Sequence, residues 1–243
     1  MSLSTSAFAR RAVSLMDLTD LSDDCTAERV DALVKRARSL SPSVAALCLW
    51  PRFVAQARQG LAGTSVHVAT VVNFPAGGEN LHDTLRETDQ ALHDGADEID
   101  LVLPWRALLE GRIDEARAML RTIRQATAGK AHLKVILETG ELKSDAAIRS
   151  AARLAIEEGA DFLKTSTGKT AISATPEAAR LLLEEIRNSG QKIGLKASGG
   201  IRSLEQARLY FDLAEDMMGP GWVTADHFRY GASGLLESLC ESF

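Results

Sequence analysis

Lys164 and Lys196 sit where a lysine is hardest to keep charged. Each interrupts an apolar run, in DFLKTSTGK and KIGLKASGG, and a glycine-bearing loop follows each. A strand covered on both faces offers an ammonium little water, so burial drives its pKa down. A lysine that sheds its proton near neutral pH is a nucleophile for a carbonyl carbon. At the ordinary pKa of ~10.4 only about 0.1% of such amines are neutral near pH ~7.4. Reaching a pKa of ~7 takes a bias of about 4–5 kcal/mol against the charged form. A second ammonium ~5 Å away supplies about 3 kcal/mol at an effective dielectric of ~20, and desolvation must supply the rest. A carboxylate held too close cancels the effect. The expected arrangement is a nucleophilic lysine, a second lysine beside it, and Asp100 nearer the second. Charge arithmetic leaves open which lysine is which.

Strand alternation supplies candidates for the other parts. Side chains along a strand point to opposite faces, so a barrel strand shows one set to the lumen and one to the helices. Ile193, Leu195 and Ala197 form one apolar set, which turns Gly194 and Lys196 inward. Ile99, Leu101 and Leu103 do the same for Glu98, Asp100 and Val102, and Leu133, Val135 and Leu137 for Lys134, Ile136 and Glu138. Leu163 faces out and Lys164 in. Asp100, Lys134, Glu138, Lys164 and Lys196 are thus expected at a common interior, Lys134 deeper and paired with a carboxylate. Burying so many charges is costly unless they pair or bind something. An internal ion-pair network that merely fills the barrel is the competing reading. The position of Lys164 and Lys196 near the C-terminal ends of their strands favours an active site.

The elements that must position these residues alternate along the whole chain. Short apolar runs at 15–18, 45–50, 66–72, 98–103, 132–138, 161–165, 193–197 and 228–231 read as strands separated by helical patterns. Thr175-Pro176-Glu177 opens a helix that Gly190 ends, and Ser203 with Gln206 fits a capping box. Gly95-Ala96-Asp97 and Gly159-Ala160-Asp161 are matching helix exits that lead straight into strands. No linker or low-complexity tract divides the 243 residues. The expected fold is α/β: a (β/α)8 TIM barrel with a short N-terminal helical extension, residues 1–243 forming one catalytic domain.

Three loops at the same barrel end could cradle an anion: Thr165 to Thr170, Ser198-Gly199-Gly200 and Gly231-Ala232-Ser233-Gly234. Gly168-Lys169-Thr170 imitates a nucleotide P-loop, but Leu163 stands where that motif needs its first glycine. No G-x-G-x-x-G occurs, so nothing argues for NAD. The five histidines form no H-x-H or H-E-x-x-H group, and neither a metal nor any cofactor is expected. Asp17 and Thr19 end the first strand and are candidates to face substrate; Cys48 could line the pocket but reads by default as a small buried hydrophobe.

Composition removes several function classes. A net charge of −5 leaves no electrostatic footprint for nucleic acid. No apolar run approaches the ~18–20 residues that cross a bilayer, and Arg10-Arg11 precede too short an apolar patch for a signal peptide. Cys25, Cys48 and Cys240 are far apart, which fits a reducing cytoplasm better than a disulfide framework.

Across LMDLTDL, ALCLWPRF, TVVNFP, GADEIDLVLP, LKVILETGELK, GADFLKTSTGK, GLKASGGIR and FRYGASG, nearly the whole chain resembles the class I, metal-free deoxyribose-phosphate aldolase family. The resemblance implies reversible cleavage of 2-deoxy-D-ribose 5-phosphate to acetaldehyde and D-glyceraldehyde 3-phosphate. It puts the Schiff-base lysine on Lys164, the second lysine on Lys196 and the proton-relay aspartate on Asp100. Its phosphate contacts fall on Gly168, Lys169, Gly199, Gly200, Ser233 and the backbone of Gly234. Many relatives read GASS where this chain has GASG, which removes one hydroxyl contact. Some also carry a tail ending in a tyrosine that assists proton transfer, whereas this sequence ends at Phe243. The implied partners are a phosphosugar and aldehydes, without nucleic acid or membrane, and a homodimer is compatible with the reading. The competing functions are another Schiff-base aldolase, such as a transaldolase or ketose-phosphate aldolase, and a non-catalytic sugar-phosphate-binding barrel.

Overall fold

Eight strands, β1 (Met16–Asp20), β2 (Ala46–Leu49), β3 (His67–Val72), β4 (Glu98–Val102), β5 (His132–Ile136), β6 (Phe162–Lys164), β7 (Gly194–Ser198) and β8 (Phe228–Ala232), run parallel. Each pairs with the next in sequence and β8 pairs with β1, closing the barrel. The structure is a computed structural model that describes residues 3–242, so Phe243 lies outside the described residues. Between the strands lie α2 (Ala27–Ser39), α3 (Val54–Gly60), α4 (Leu81–His93), α5 (Trp105–Leu109), α6 (Ile113–Thr127), α7 (Thr139–Leu142), α8 (Asp145–Glu157), α9 (Pro176–Ser189) and α10 (Leu204–Met218). α1 (Thr5–Ser14) precedes β1 and α11 (Leu235–Cys240) follows β8. α1 is the N-terminal extension. It packs on α10 and α11, with Phe8 meeting Phe211 edge to face.

The outward set of each strand builds the helix–sheet layer. Ile99, Leu101, Leu133, Val135, Leu163 and Leu195 are all fully buried. Each such aliphatic side chain contributes about 1.5–3 kcal/mol relative to exposure. The helix ends follow local chemistry. The Thr175 side chain accepts from Ala178 N with Pro176 at the first helical position, Gly190 closes α9 at φ 64°, and Ser203 and Gln206 form the capping box of α10. The two matching helix exits do the same work twice. Asp97 accepts from Val68 N and from Arg58, and Asp161 accepts from Leu133 N and from Arg124, each tying a strand start to the preceding strand and to the helix that leads into that strand.

Boundaries shift where polar residues continue a strand. β1 runs on through Thr19 and Asp20, because pairing with Cys48 and Leu49 of β2 extends it beyond its apolar stretch. β5 stops at Ile136, two residues before the expected end, and Glu138 adopts a left-handed φ of 56°. Among the described residues no helix is long and apolar enough to cross a membrane.

Candidate active site

The register sets the lumen. Asp100 lies beside Lys134, Ile136 beside Lys164, Lys164 beside Lys196, and Lys196 beside Arg229. With Asp17 and Glu98 these side chains form one ionised cluster, each member at most 3% exposed. Lys134 Nζ contacts Glu98 Oε2 at 2.5 Å and Asp100 Oδ1 at 2.8 Å. Lys196 Nζ contacts Asp17 Oδ2 at 2.5 Å and Asp100 Oδ2 at 2.7 Å. Arg229 joins Asp17 Oδ1 at 2.6 Å to Glu98 Oε1 at 3.0 Å. Among the described residues Lys164 Nζ has one carboxylate neighbour, Asp100 Oδ2 at 2.8 Å.

Counting charges separates the two lysines. Asp17, Glu98 and Asp100 are three carboxylates; Lys134, Lys196 and Arg229 match them one for one. Burial opposes the charge on these three cations, but carboxylates outweigh it and raise all three: Asp100 and Glu98 at Lys134, Asp100 and Asp17 at Lys196, Asp17 and Glu98 at Arg229. A proton on Lys164 would leave one uncompensated positive charge in a dry interior. At Lys164 burial is the largest influence, and with repulsion from Lys196 it overcomes the pull of Asp100 and lowers the amine. Burial also works against the charge on Asp100, yet Lys134, Lys164 and Lys196 hold it well below the usual carboxylate range.

The expected asymmetry therefore has a different source. Asp100 was expected nearer the second lysine, but its Oδ2 serves both almost equally, at 2.8 Å and 2.7 Å. Asp17 breaks the tie by adding its own charge to Lys196 and not to Lys164. Expected at the substrate, Asp17 is instead fully buried with both oxygens taken by Lys196 and Arg229. Glu138 does not join the cluster either. Its left-handed backbone turns it to the loop after β6, where it accepts from Thr167 N at 3.2 Å and Thr167 Oγ1 at 2.5 Å.

Above the cluster, at the C-terminal ends of the strands, opens a cleft of about 500 Å³. Lys164 is the cluster member that reaches it. Thr19, Gly168, Lys169, Gly199, Gly200, Ser233 and Gly234 line it as well, so three separate loops converge there. Asp17, Cys48, Asp100 and Lys196 are buried outside that lining. Burial pushes the Cys48 thiol up, and the side chain packs with Ala46, Ala69 and Val71. Gly199 has a φ of 85°, and a Cβ on it would stand 2.6 Å from Ser173 Cβ. Gly231 leaves room for its neighbours: a Cβ there would lie 2.2 Å from Ser198 Oγ and 2.9 Å from Lys196 Cε. Lys169 is paired across the cleft with Asp23 at 3.2 Å.

Arg29 and Arg202 also line the cleft and were missed by the sequence reading, as was Arg229 in the cluster. Extending the alternation rule to β8, with Phe228 and Tyr230 outward, would have turned Arg229 inward. Neither cleft arginine carries a sequence signal: Arg202 lies in a loop, which does not alternate, and Arg29 lies in the first turn of α2, where strand alternation does not apply. Among the described residues no three or more metal-ligating side chains gather in one place.

The family model for DeoC/LacD family aldolases matches residues 11–221. The chain belongs to that family. It is 49% identical over 232 residues to the "Deoxyribose-phosphate aldolase" of Agrobacterium fabrum (strain C58 / ATCC 33970), covering 95% of this chain and 90% of that one. Among solved structures, the apo form of a Toxoplasma gondii ME49 protein superposes with a TM-score of 0.89 at 30% identity, over 98% of this chain and 96% of that one. The deoxyribose phosphate aldolase from Aeropyrum pernix, described as tetrameric, gives 0.79 at 28% identity over 98% and 92%.

Proposed function

We propose that this aldolase, with residues 1–243 as one catalytic domain, cleaves 2-deoxy-D-ribose 5-phosphate reversibly to acetaldehyde and D-glyceraldehyde 3-phosphate. One observation carries the reading: Lys164 is both the buried amine whose charge the burial and the charge count disfavour and the one that opens on the cleft. Its nitrogen adds to the substrate aldehyde, and loss of water leaves an iminium. Electrons of the C2–C3 bond then flow toward the iminium nitrogen as the C3 hydroxyl loses its proton. The bond breaks, releasing glyceraldehyde 3-phosphate and leaving a neutral enamine. Protonation of the enamine and addition of water release acetaldehyde and restore the amine.

The cluster supplies proton traffic for these steps. An iminium on Lys164 is a permanent cation, so four positive groups then face three carboxylates. That excess weakens the hold of Lys196 on its proton, and Asp100, touching both nitrogens, is placed to relay it. Gly168, Gly199, Gly200 and Gly234 offer backbone N–H groups to the phosphate, and Lys169, Ser233, Arg29 and Arg202 add side chains. At Gly234 the backbone donor stands without a side-chain hydroxyl. Binding energy at that end orients the reacting end. The unpaired Cys25, Cys48 and Cys240 support a reducing, cytoplasmic setting.

Borohydride reduction in acetaldehyde followed by peptide mapping tests the assignment. The adduct is expected on Lys164 in the parent protein and absent in Lys164→Arg. An adduct on Lys196 reverses the two roles. Exclusive use of dihydroxyacetone phosphate as donor would point to a different Schiff-base aldolase.

A further inference from the structure

The ionised cluster reaches the opposite mouth of the barrel through a histidine that the chemistry above does not use. His67 opens β3, and its side chain is 45% exposed at the N-terminal ends of the strands. Each step from there to the cleft is a direct contact. His67 Nδ1 lies 2.8 Å from Glu98 Oε1, and Glu98 Oε2 lies 2.5 Å from Lys134 Nζ. Lys134 Nζ lies 2.8 Å from Asp100 Oδ1, and Asp100 Oδ2 lies 2.8 Å from Lys164 Nζ.

We propose that His67 is a positioning residue for the aldol reaction, setting from the far mouth how readily Lys164 gives up its proton. The inference rests on Lys164 being the nucleophile. The charged and titratable groups facing His67 are Glu98 and Asp97 from β4 and its approach, His132 across the mouth, and Arg229 from β8. Asp97 is already held by Arg58 at 2.8 Å, and Arg229 also bridges to Asp17. Glu98 is therefore the path inward. Its hydrogen bond raises His67, against burial, just as burial lowers Lys164. The two groups are thus displaced toward one another.

The sign follows from the charge count. With Lys164 neutral, the cluster is balanced. A proton on His67 draws on Glu98, loosens the hold of Glu98 on Lys134, and turns Lys134 toward Asp100. Asp100 then has less charge to offer Lys164. By reciprocity a proton on either group disfavours a proton on the other. As pH falls, the imidazolium forms and keeps the Lys164 amine free further into the acid range.

Trapping rates on Lys164 with acetaldehyde and cyanoborohydride read this directly in the parent, His67→Phe and His67→Arg. The ratio of rates at about pH 6 and about pH 8.5 is expected to fall about three-fold in His67→Phe, which has no charge to give. In His67→Arg, permanently charged, the rate at about pH 6 should match that of the parent, and the ratio should fall only by the gain in rate at alkaline pH. Should His67→Phe not fold, His67→Arg still decides: it is expected to trap increasingly faster than the parent as pH rises and the parent's imidazole gives up its proton. A His67→Phe ratio superimposable on that of the parent, or His67→Arg rates identical to the parent's at every pH, overturns the role of His67 while leaving the nucleophile assignment standing. No adduct on Lys164 in the parent at any pH overturns both. A defect equal at both pH values marks a purely structural residue and also contradicts the proposal.

Discussion

Lys164→Met is expected to abolish turnover of the phosphosugar while leaving the protein folded and its phosphate site intact. Without the amine no iminium forms, and the C2–C3 electrons have no acceptor. The loss in kcat/KM should be at least about 10⁴-fold, equivalent to ~5 kcal/mol of transition-state stabilisation. Substrate affinity should change only a few-fold, because the loops that hold the far end do not depend on this side chain. Stability gives a sharper signature. Lys164→Met leaves three carboxylates facing three cations, so its melting point should match or exceed that of the parent. Lys164→Arg puts a fourth permanent cation into the same interior and should be the less stable variant, since burying an unpaired charge costs several kcal/mol. Calorimetry on the three proteins checks the order. A Met variant markedly less stable than Arg would contradict the charge count.

The second large effect belongs to Lys196→Met. This change removes one of three matched cations and leaves Asp17 and Asp100 with unspent negative charge. Lys164 then keeps its proton beside Asp100, while Asp17, out of its reach, stays short of a partner. Activity near neutrality should fall about 10³-fold, combining loss of the free amine with loss of a proton donor. The pH dependence has a definite sign: raising the pKa of Lys164 moves the acid limb of kcat/KM upward, so residual activity climbs with pH where the parent is already level. Stability should drop by about 3–5 kcal/mol, the usual result of breaking a buried pair from one side. Adding Asp17→Asn restores two carboxylates against two cations and should recover most of that stability. A double variant no more stable than the single one would show that Asp17 does not belong to the same electrostatic unit.

Alternation alone found most of the interior. Once Ile99, Leu133, Leu163 and Leu195 are taken as helix-facing, Asp100, Lys134, Lys164 and Lys196 have nowhere to go but the lumen. The same rule reaches Arg229 only if β8 is read with the same care, and its shortness hides it. What alternation does not convey is pairing. That Asp100 bridges three lysines, and that Asp17 distinguishes two of them, depends on which strands neighbour one another around the closed ring. Glu138 shows the other boundary of the method: a period of two holds only while the backbone stays extended, and here it ends at Ile136. Arg202 in its loop and Arg29 at the start of α2 are positioned at the cleft by the fold and not by a local pattern.

Catalysis by Lys164 requires its amine to be uncharged while Lys196, sharing the same carboxylate oxygen, stays charged. Nitrogen-detected NMR on lysine-labelled protein, with Lys164→Met and Lys196→Met used to assign the two signals, measures both directly. Lys164 should titrate below the ordinary lysine range, and Lys196 should remain an ammonium beyond it. Two amines titrating together in the ordinary range, or a free amine at Lys196, would contradict this assignment.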